Sequence, residues 1–457
     1  MDGYCLSDGT PKPSLRDCKN VLSPCYVTYE NNKIKIMNTN DFRSLDYVSL
    51  KWEICEDFMI LKSGEMQLPA IEPYSEQELP IDTRISEKTA GAKYYVNLRF
   101  YDDNGYEIAY KQVIIGENEK QSYLPKKPCT RIIPDGENLT LDGGEFKIKF
   151  QKGLISYYEY KGKILLNAPM KLNFYRAPID NDGVVGLAPR WIDKWNSVFL
   201  KHFDFFAQAV KAEEEIDCIK VTVKGKALPV ACFAGFNVQL IYRIYEGGFV
   251  LVEYEGEPFG SLPEVLPRIG VCFEMDESYN DVKWYGRGPE ENYSDRKSHC
   301  NFGLYELPVS SMNFMYDIPQ ECGTRTETFF AALSGENKAF TIIGADKFDF
   351  SCHDFSMEEL EKARHRNELK KTKHKYLYID YKMRGLGSHS CGPNPEECYE
   401  LRPHSFRFVF GICPDENKAL TLSRTEFCAK TERLSETHKF DIKKEVKSVI
   451  ECNINKD

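Results

Sequence analysis

The sequence predicts an all-β protein: an immunoglobulin-like sandwich followed by a large antiparallel β-sandwich. Apolar and polar residues alternate along many short runs, as half-buried strands require. Turn-forming clusters separate those runs, and segments with helical periodicity are few. The 27 Tyr and 28 Phe favour the same class, because flat rings pack well on a pleated surface.

The clearest alternating runs are Lys33-Ile34-Lys35-Ile36-Met37, residues 47–55 (YVSLKWEIC) and residues 94–101 (YYVNLRFY). Later runs cover residues 146–150, 249–254, 375–382 and 406–410. Asp103-Asn104-Gly105, Asp135-Gly136 and Asp142-Gly143-Gly144 supply turns, since Asn, Asp and Gly tolerate the backbone angles that a tight reversal needs. Two helices are expected. One covers residues 190–203. The other starts after Ser356, where Glu359 completes a capping box ahead of MEELEKARHRNEL. Strand–helix alternation is missing, which argues against a doubly wound sheet or a (β/α)₈ barrel.

Four segments follow from these patterns. Residues 1–20 form a lead-in, and residues 21–123 have the length and strand spacing of an immunoglobulin-like sandwich. The Pro-rich stretch Leu124-Pro125-Lys126-Lys127-Pro128 reads as a linker. Residues 124–414 are too long for one ordinary sandwich. The Lys/Glu/Thr-rich remainder, residues 415–457, reads as a small appended strand unit or a disordered extension.

A net charge of −10 argues against nucleic acid as a partner, because phosphate binding needs clustered Lys and Arg. No run approaches the roughly 18 apolar residues of a membrane-spanning helix, and Met1-Asp2-Gly3-Tyr4-Cys5 opens no signal peptide. The 16 Cys are scattered without a Cys-x-x-Cys pair, which fits reduced, mostly buried thiols and a cytoplasmic location. His spacing shows no metal-ligand pattern, so no metal or other cofactor is expected in this chain.

Four segments in the second unit carry a resemblance. In order they are Asn173-Phe174-Tyr175-Arg176-Ala177-Pro178-Ile179-Asp180-Asn181-Asp182, then residues 284–297 (WYGRGPEENYSDRK), then Pro319-Gln320-Glu321-Cys322-Gly323-Thr324-Arg325, and last Gly385-Leu386-Gly387-Ser388-His389-Ser390-Cys391-Gly392-Pro393. Together they resemble the small-chain region of β-galactosidases of glycoside hydrolase family 2. Residues 284–297 are the most specific stretch. The opening, Asp2-Gly3-Tyr4 and then residues 10–19 (TPKPSLRDCK), is similar to the segment that closes the family's catalytic barrel and enters the next sandwich. The resemblance runs from about residue 2 to about residue 414; the tail has no recognised counterpart.

The resemblance implies that the catalytic glutamates belong to a barrel upstream of residues 2–19, so no catalytic residue is assigned to this chain. It also implies that the 385–393 loop reaches toward the sugar. There Cys391 stands where the family carries a Trp, and a thiol offers no stacking platform for a sugar face. Ser388, His389 and Cys391 are therefore the substrate-proximal candidates, against the plainer reading of a Gly-rich turn. Cys391 with His389 makes a poor nucleophilic pair, because nothing evident orients it.

Arg176, Asp180, Asp182, Glu290, Asn292, Asp295 and Arg296 read as a structural polar network around the loops, with sugar contact the other reading for Glu290, Asn292, Asp295 and Arg296. Asp180, Asn181 and Asp182 suit a turn with Arg176 as an ion-pair partner; the other reading, a calcium site, has Gly183 at the wrong place for an EF-hand loop. Gly286-Arg287-Gly288 lacks the strand–helix context of a nucleotide cradle, and the following glutamates would repel phosphate.

The expected function is that of a C-terminal part or small subunit of a β-galactosidase acting on β-D-galactosides such as lactose. Its partner would be a separate barrel-bearing chain, which would hold any Mg or Na ion, and the assembly would be oligomeric. A stand-alone carbohydrate-binding protein and an inactive fragment of a longer gene are the alternatives.

Overall fold

A computed structural model describes residues 3–122, 126–183, 190–389 and 392–427. The described residues form four antiparallel sheets and one short parallel pair, with short helices at connections.

In the first unit, Cys25–Glu30, Lys33–Asn38 and Glu76–Glu78 form one sheet. Met59–Gln67, Ser49–Glu56, Lys93–Tyr101 and Glu107–Glu117 form the other. These seven strands make an immunoglobulin-like sandwich. Period-2 alternation explains its core: Val96, Leu98 and Phe100 project inward from one strand and meet Ile34 and Ile36 from the facing sheet.

The second unit opens with a five-stranded meander over Arg131–Asp135, Asn138–Asp142, Phe146–Gln151, Leu154–Tyr160 and Lys163–Leu166. A twelve-stranded sheet follows. Its main path runs from Lys171–Asn173 at one end to Asp204–Glu214 at the other, and these two end strands approach each other, so the sheet nearly closes. Its core interleaves aromatic and branched side chains such as Phe236, Tyr254, Phe350 and Ile379. The stretch Leu124-Pro125-Lys126-Lys127-Pro128, expected as a linker, lies partly outside the described residues.

Both expected helices form but are shorter than their patterns. Residues 190–203 split into a helix, Trp191–Ser197, and a 3₁₀ turn, Leu200–His202, because Phe199 between them takes a φ of +53°. Ser356 caps the other helix through its hydroxyl, which accepts the Glu359 amide at 3.2 Å. That helix ends at Lys362. Beyond it, Arg366 donates its amide to the Asp317 carbonyl and pairs its guanidinium with Asp8, and these tertiary contacts draw the chain off the helical path.

The two units pack directly. The Gln112 side-chain amide exchanges two hydrogen bonds with the Phe302 backbone, 2.8 and 2.9 Å, as a paired strand would. Tyr285 from the second unit donates its hydroxyl to Asp57 of the first at 2.8 Å and lies 3.2 Å from the Tyr95 hydroxyl. Tyr95 and Phe302 stack with ring centroids 5.4 Å apart.

Strand register brings the four motif segments to one end of the large sheet. The first continues from Lys171–Asn173, the second from Tyr279–Gly288, and the fourth from Lys375–Met383; the third leads into Arg325–Gly335. Asn173 opposes Gly270, Arg268 opposes Met383 and Arg325 opposes Phe350, so those strand ends are neighbours.

Candidate functional site

A fully buried ion-pair node lies at this end. Arg176 reaches both oxygens of Asp182 at 3.0 and 3.1 Å, and Arg384 reaches the same carboxylate at 3.0 Å. All three side chains have no solvent exposure. Arg384 turns its other edge to Glu400 at 2.7 and 3.0 Å, which balances the charges. The fork geometry of guanidinium suits this bridging, and the paired charges offset part of the cost of desolvation, although the Arg176 Nε has no hydrogen-bond partner. Asp180, Asn181 and Asp182 form a 3₁₀ turn, and the Asp182 carboxylate also accepts the Ile179 amide at 3.0 Å.

That turn holds the fourth segment. Asn181 donates its amide to the carbonyls of Leu386 and Gly387 at 3.1 and 2.6 Å. From the other side, Asp295 accepts the amides of the same residues at 3.0 and 2.7 Å. Gly385 is required by the close approach: a Cβ there would come 2.8 Å from the Asp295 carboxyl. The loop base is thus fixed by the first two segments together. Ser388 stands exposed, its hydroxyl 3.4 Å from the Pro393 carbonyl, and His389 is half-buried. Cys391 lies outside the described residues.

The second and third segments form a further node. Glu290 and Glu291 diverge after the strand Tyr279–Gly288. Glu290 pairs with Arg16 at 2.6 Å near the surface. Glu291 is buried and receives Arg296 at 2.8 Å, the Tyr316 hydroxyl, and the Gly323 amide at 2.8 Å. Asn292 accepts the Thr326 amide at 3.0 Å and donates its own backbone amide to the Thr324 carbonyl at 2.8 Å. Arg325 ties the loops together by donating to the carbonyls of Met312, Gly323 and Pro289. Deeper still, Arg268 lies between Glu321 at 3.4 Å and Asp380 at 3.2 Å, and burial raises the pKa of both carboxyls.

The helix Pro13–Val21 closes the group from outside. The sequence reading treated residues 1–20 as a lead-in and overlooked this helix, although Pro13 at its start is a usable signal. Asp17 accepts the Ser298 hydroxyl at 2.8 Å and pairs with His299 at 3.1 Å. Asn20 donates to the Ser298 carbonyl. Burial opposes the charge on His299, but hydrogen bonds to Asp17 and Cys300 hold its pKa up at about 9. Burial likewise works against the Asp17 charge, and the His299 and Ser298 contacts lower its pKa in spite of it.

These elements surround a cleft of about 790 Å³. Tyr4, Asp17, Asn181, Asp295, Glu321 and Ser388 line it, so the opening segment and all four motif segments share one cavity. Its walls set carboxylates, amides, two phenols and a guanidinium among apolar side chains such as Val21, Leu22 and Ile318, which is the make-up of a recognition pocket.

Among the described residues, Glu215, Asp217 and Cys218 bring ligand-type atoms within reach of one ion. Burial, and then the Glu215 carboxylate, push the Cys218 thiol up to about 12, so it stays protonated and donates to Glu215 at 3.4 Å. Lys220 also donates to Glu215 at 2.9 Å. This turn is closed on itself, and its residues do not line the cleft.

The first unit matches, over residues 34–119, a family model described as beta-galactosidase, domain 4. Among curated relatives, a beta-galactosidase of Actinobacillus pleuropneumoniae is 28% identical over 429 residues, covering 91% of this chain and 41% of the relative. One from Kluyveromyces lactis is 27% identical, covering 90% of this chain and 39% of the relative. One from Priestia megaterium is 26% identical, covering 84% and 38%. The chain thus spans about two fifths of the length of these relatives. Residues 142–412, more than half of the chain and all four motif segments, match the model described as beta galactosidase small chain, and the chain belongs to that family.

Proposed function

We propose that this chain is the C-terminal part, or small subunit, of a β-galactosidase that hydrolyses terminal β-D-galactosides such as lactose. It completes the sugar pocket of a separate barrel-bearing chain. The observation that carries this reading is the shared cleft: the segment resembling the family's barrel-closing connection and the 385–388 loop base line the same cavity.

On this reading the chain supplies architecture and shapes the substrate side of the pocket. A retaining glycosidase needs two carboxyl groups about 5–5.5 Å apart flanking the scissile bond, and the barrel chain supplies both. Any Mg or Na ion sits on that chain as well. Asp295 and Asn181 fix the base of the loop that carries Ser388 and His389 toward the sugar. The assembly is an oligomer in the cytoplasm. Among the described residues no helix is long and apolar enough to cross a membrane.

Co-expression with a barrel-bearing β-galactosidase chain, followed by size exclusion, tests the partnership. The two chains are expected to elute together in fixed ratio. Separate elution from every such barrel chain counts against it.

A further inference from the structure

The small-chain match stops at residue 412, yet the chain continues in ordered form to residue 427. A 3₁₀ turn, Glu416–Lys418, leads into the helix Ala419–Ser423 and the strand Thr425–Glu426. A helix of five residues has no stability of its own in water, so tertiary contacts must hold it. Ala419 and Leu422 are buried in a cluster that includes Tyr95 of the first unit and Phe249, Phe330 and Ile343 of the second.

Arg424 then crosses to the first unit. Its Nε donates to Asp57 at 2.7 Å, and its Nη2 pairs with Glu56 at 3.1 Å and Asp57 at 2.5 Å. Asp57 is almost fully buried and also receives the Lys93 amide at 3.0 Å and the Tyr285 hydroxyl, so one carboxylate joins both units and the C-terminal segment. The Arg424 backbone presses against Gly91, where a Cβ would come 1.9 Å from the Arg424 carbonyl oxygen. Thr425 and Glu426 pair in parallel with Gln121 and Ser122, the last described residues before the second unit.

We propose that residues 414–427 form a strap that locks the two β units into one rigid body, with the Arg424 guanidinium over Glu56 and Asp57 as its key. Two units in one chain keep some relative freedom unless enough contacts join them. A segment rooted in the second unit, paired to the connection and ion-paired to the first unit, removes that freedom. Without Arg424, Asp57 is left as a buried carboxylate short of its counter-charge, and the interface it anchors weakens. The strap is independent of which reaction the assembled protein performs.

The test is calorimetry and amide exchange on the full chain carrying Arg424→Ala, with Leu422→Ala as a second variant that trims the buried helix and leaves the ion pairs in place. The unaltered chain is expected to unfold in one transition. Arg424→Ala is expected to split it, with amides of Lys93–Tyr101 and Glu107–Glu117 exchanging roughly a hundredfold faster, while those of Val250–Phe259 stay protected. Leu422→Ala shows the same split to a lesser degree, and decides the matter should Arg424→Ala fail to fold. Faster exchange confined to residues 419–426, with the first unit unchanged and a single transition kept, overturns the proposal.

Discussion

Asn181 and Asp295 hold the same two residues by opposite chemistry. The amide of Asn181 donates to the carbonyls of Leu386 and Gly387, and the carboxylate of Asp295 accepts the amides of those residues. A loop base with both its donors and its acceptors satisfied is set before any ligand arrives, and that is how binding energy is spared from ordering the chain.

Asp295→Ala therefore loosens the loop without unfolding the protein. Two hydrogen bonds to a charged acceptor are lost, each worth about 1.5–3 kcal/mol locally. The Leu386 and Gly387 amides are expected to exchange at least tenfold faster, while the amides of Arg268–Met275 keep their protection. Should the proposed assembly form, the same change is expected to lower its kcat/KM for galactosides.

Asp182→Ala acts on the fold itself. It leaves Arg176 and Arg384 buried, side by side and without their shared carboxylate. Removing one partner of a buried ion pair costs about 3–5 kcal/mol. Urea unfolding is expected to show a loss of that size. An unchanged midpoint would mean that the node is far more hydrated than its zero exposure implies.

Docking of the helix Pro13–Val21 is bounded by pH on both sides. The His299 pKa is raised from 6.5 to about 9, so its contribution is full below about pH 6.5 and is lost as pH rises through about 9. The Asp17 pKa is lowered, so its contribution is present above its unfolded value of 3.8 and is lost as pH falls through the folded one. Exchange of the helix amides across pH 3–10 is expected to pass through a minimum of opening at neutral pH. His299→Gln abolishes the alkaline limb and leaves the protein folded.

The strands were legible because burial on one face imposes a period of two. Lys93–Tyr101 buries Val96, Leu98 and Phe100, as its alternation requires. The motif residues were legible as a group, and the Arg176–Asp182 contact follows from their closeness in sequence. Which segment meets which was not. Asp295 and Leu386 are 91 positions apart, and only sheet register brings them together. The helix Pro13–Val21 was hidden for a related reason. It is short and polar, and its contacts are tertiary pairs such as Asp17 with His299 rather than a broad apolar face. The 414–427 segment likewise gives no periodic signal, because its place is set by Arg424 and two buried side chains.

The most direct test of the central claim is galactoside hydrolysis by separately purified chains, assayed alone and mixed. No turnover is expected from this chain alone, and turnover is expected when it is mixed with a barrel-bearing chain that is itself inactive or weakly active. Hydrolysis by this chain alone, or a barrel chain whose rate is unchanged by adding it, would contradict the account.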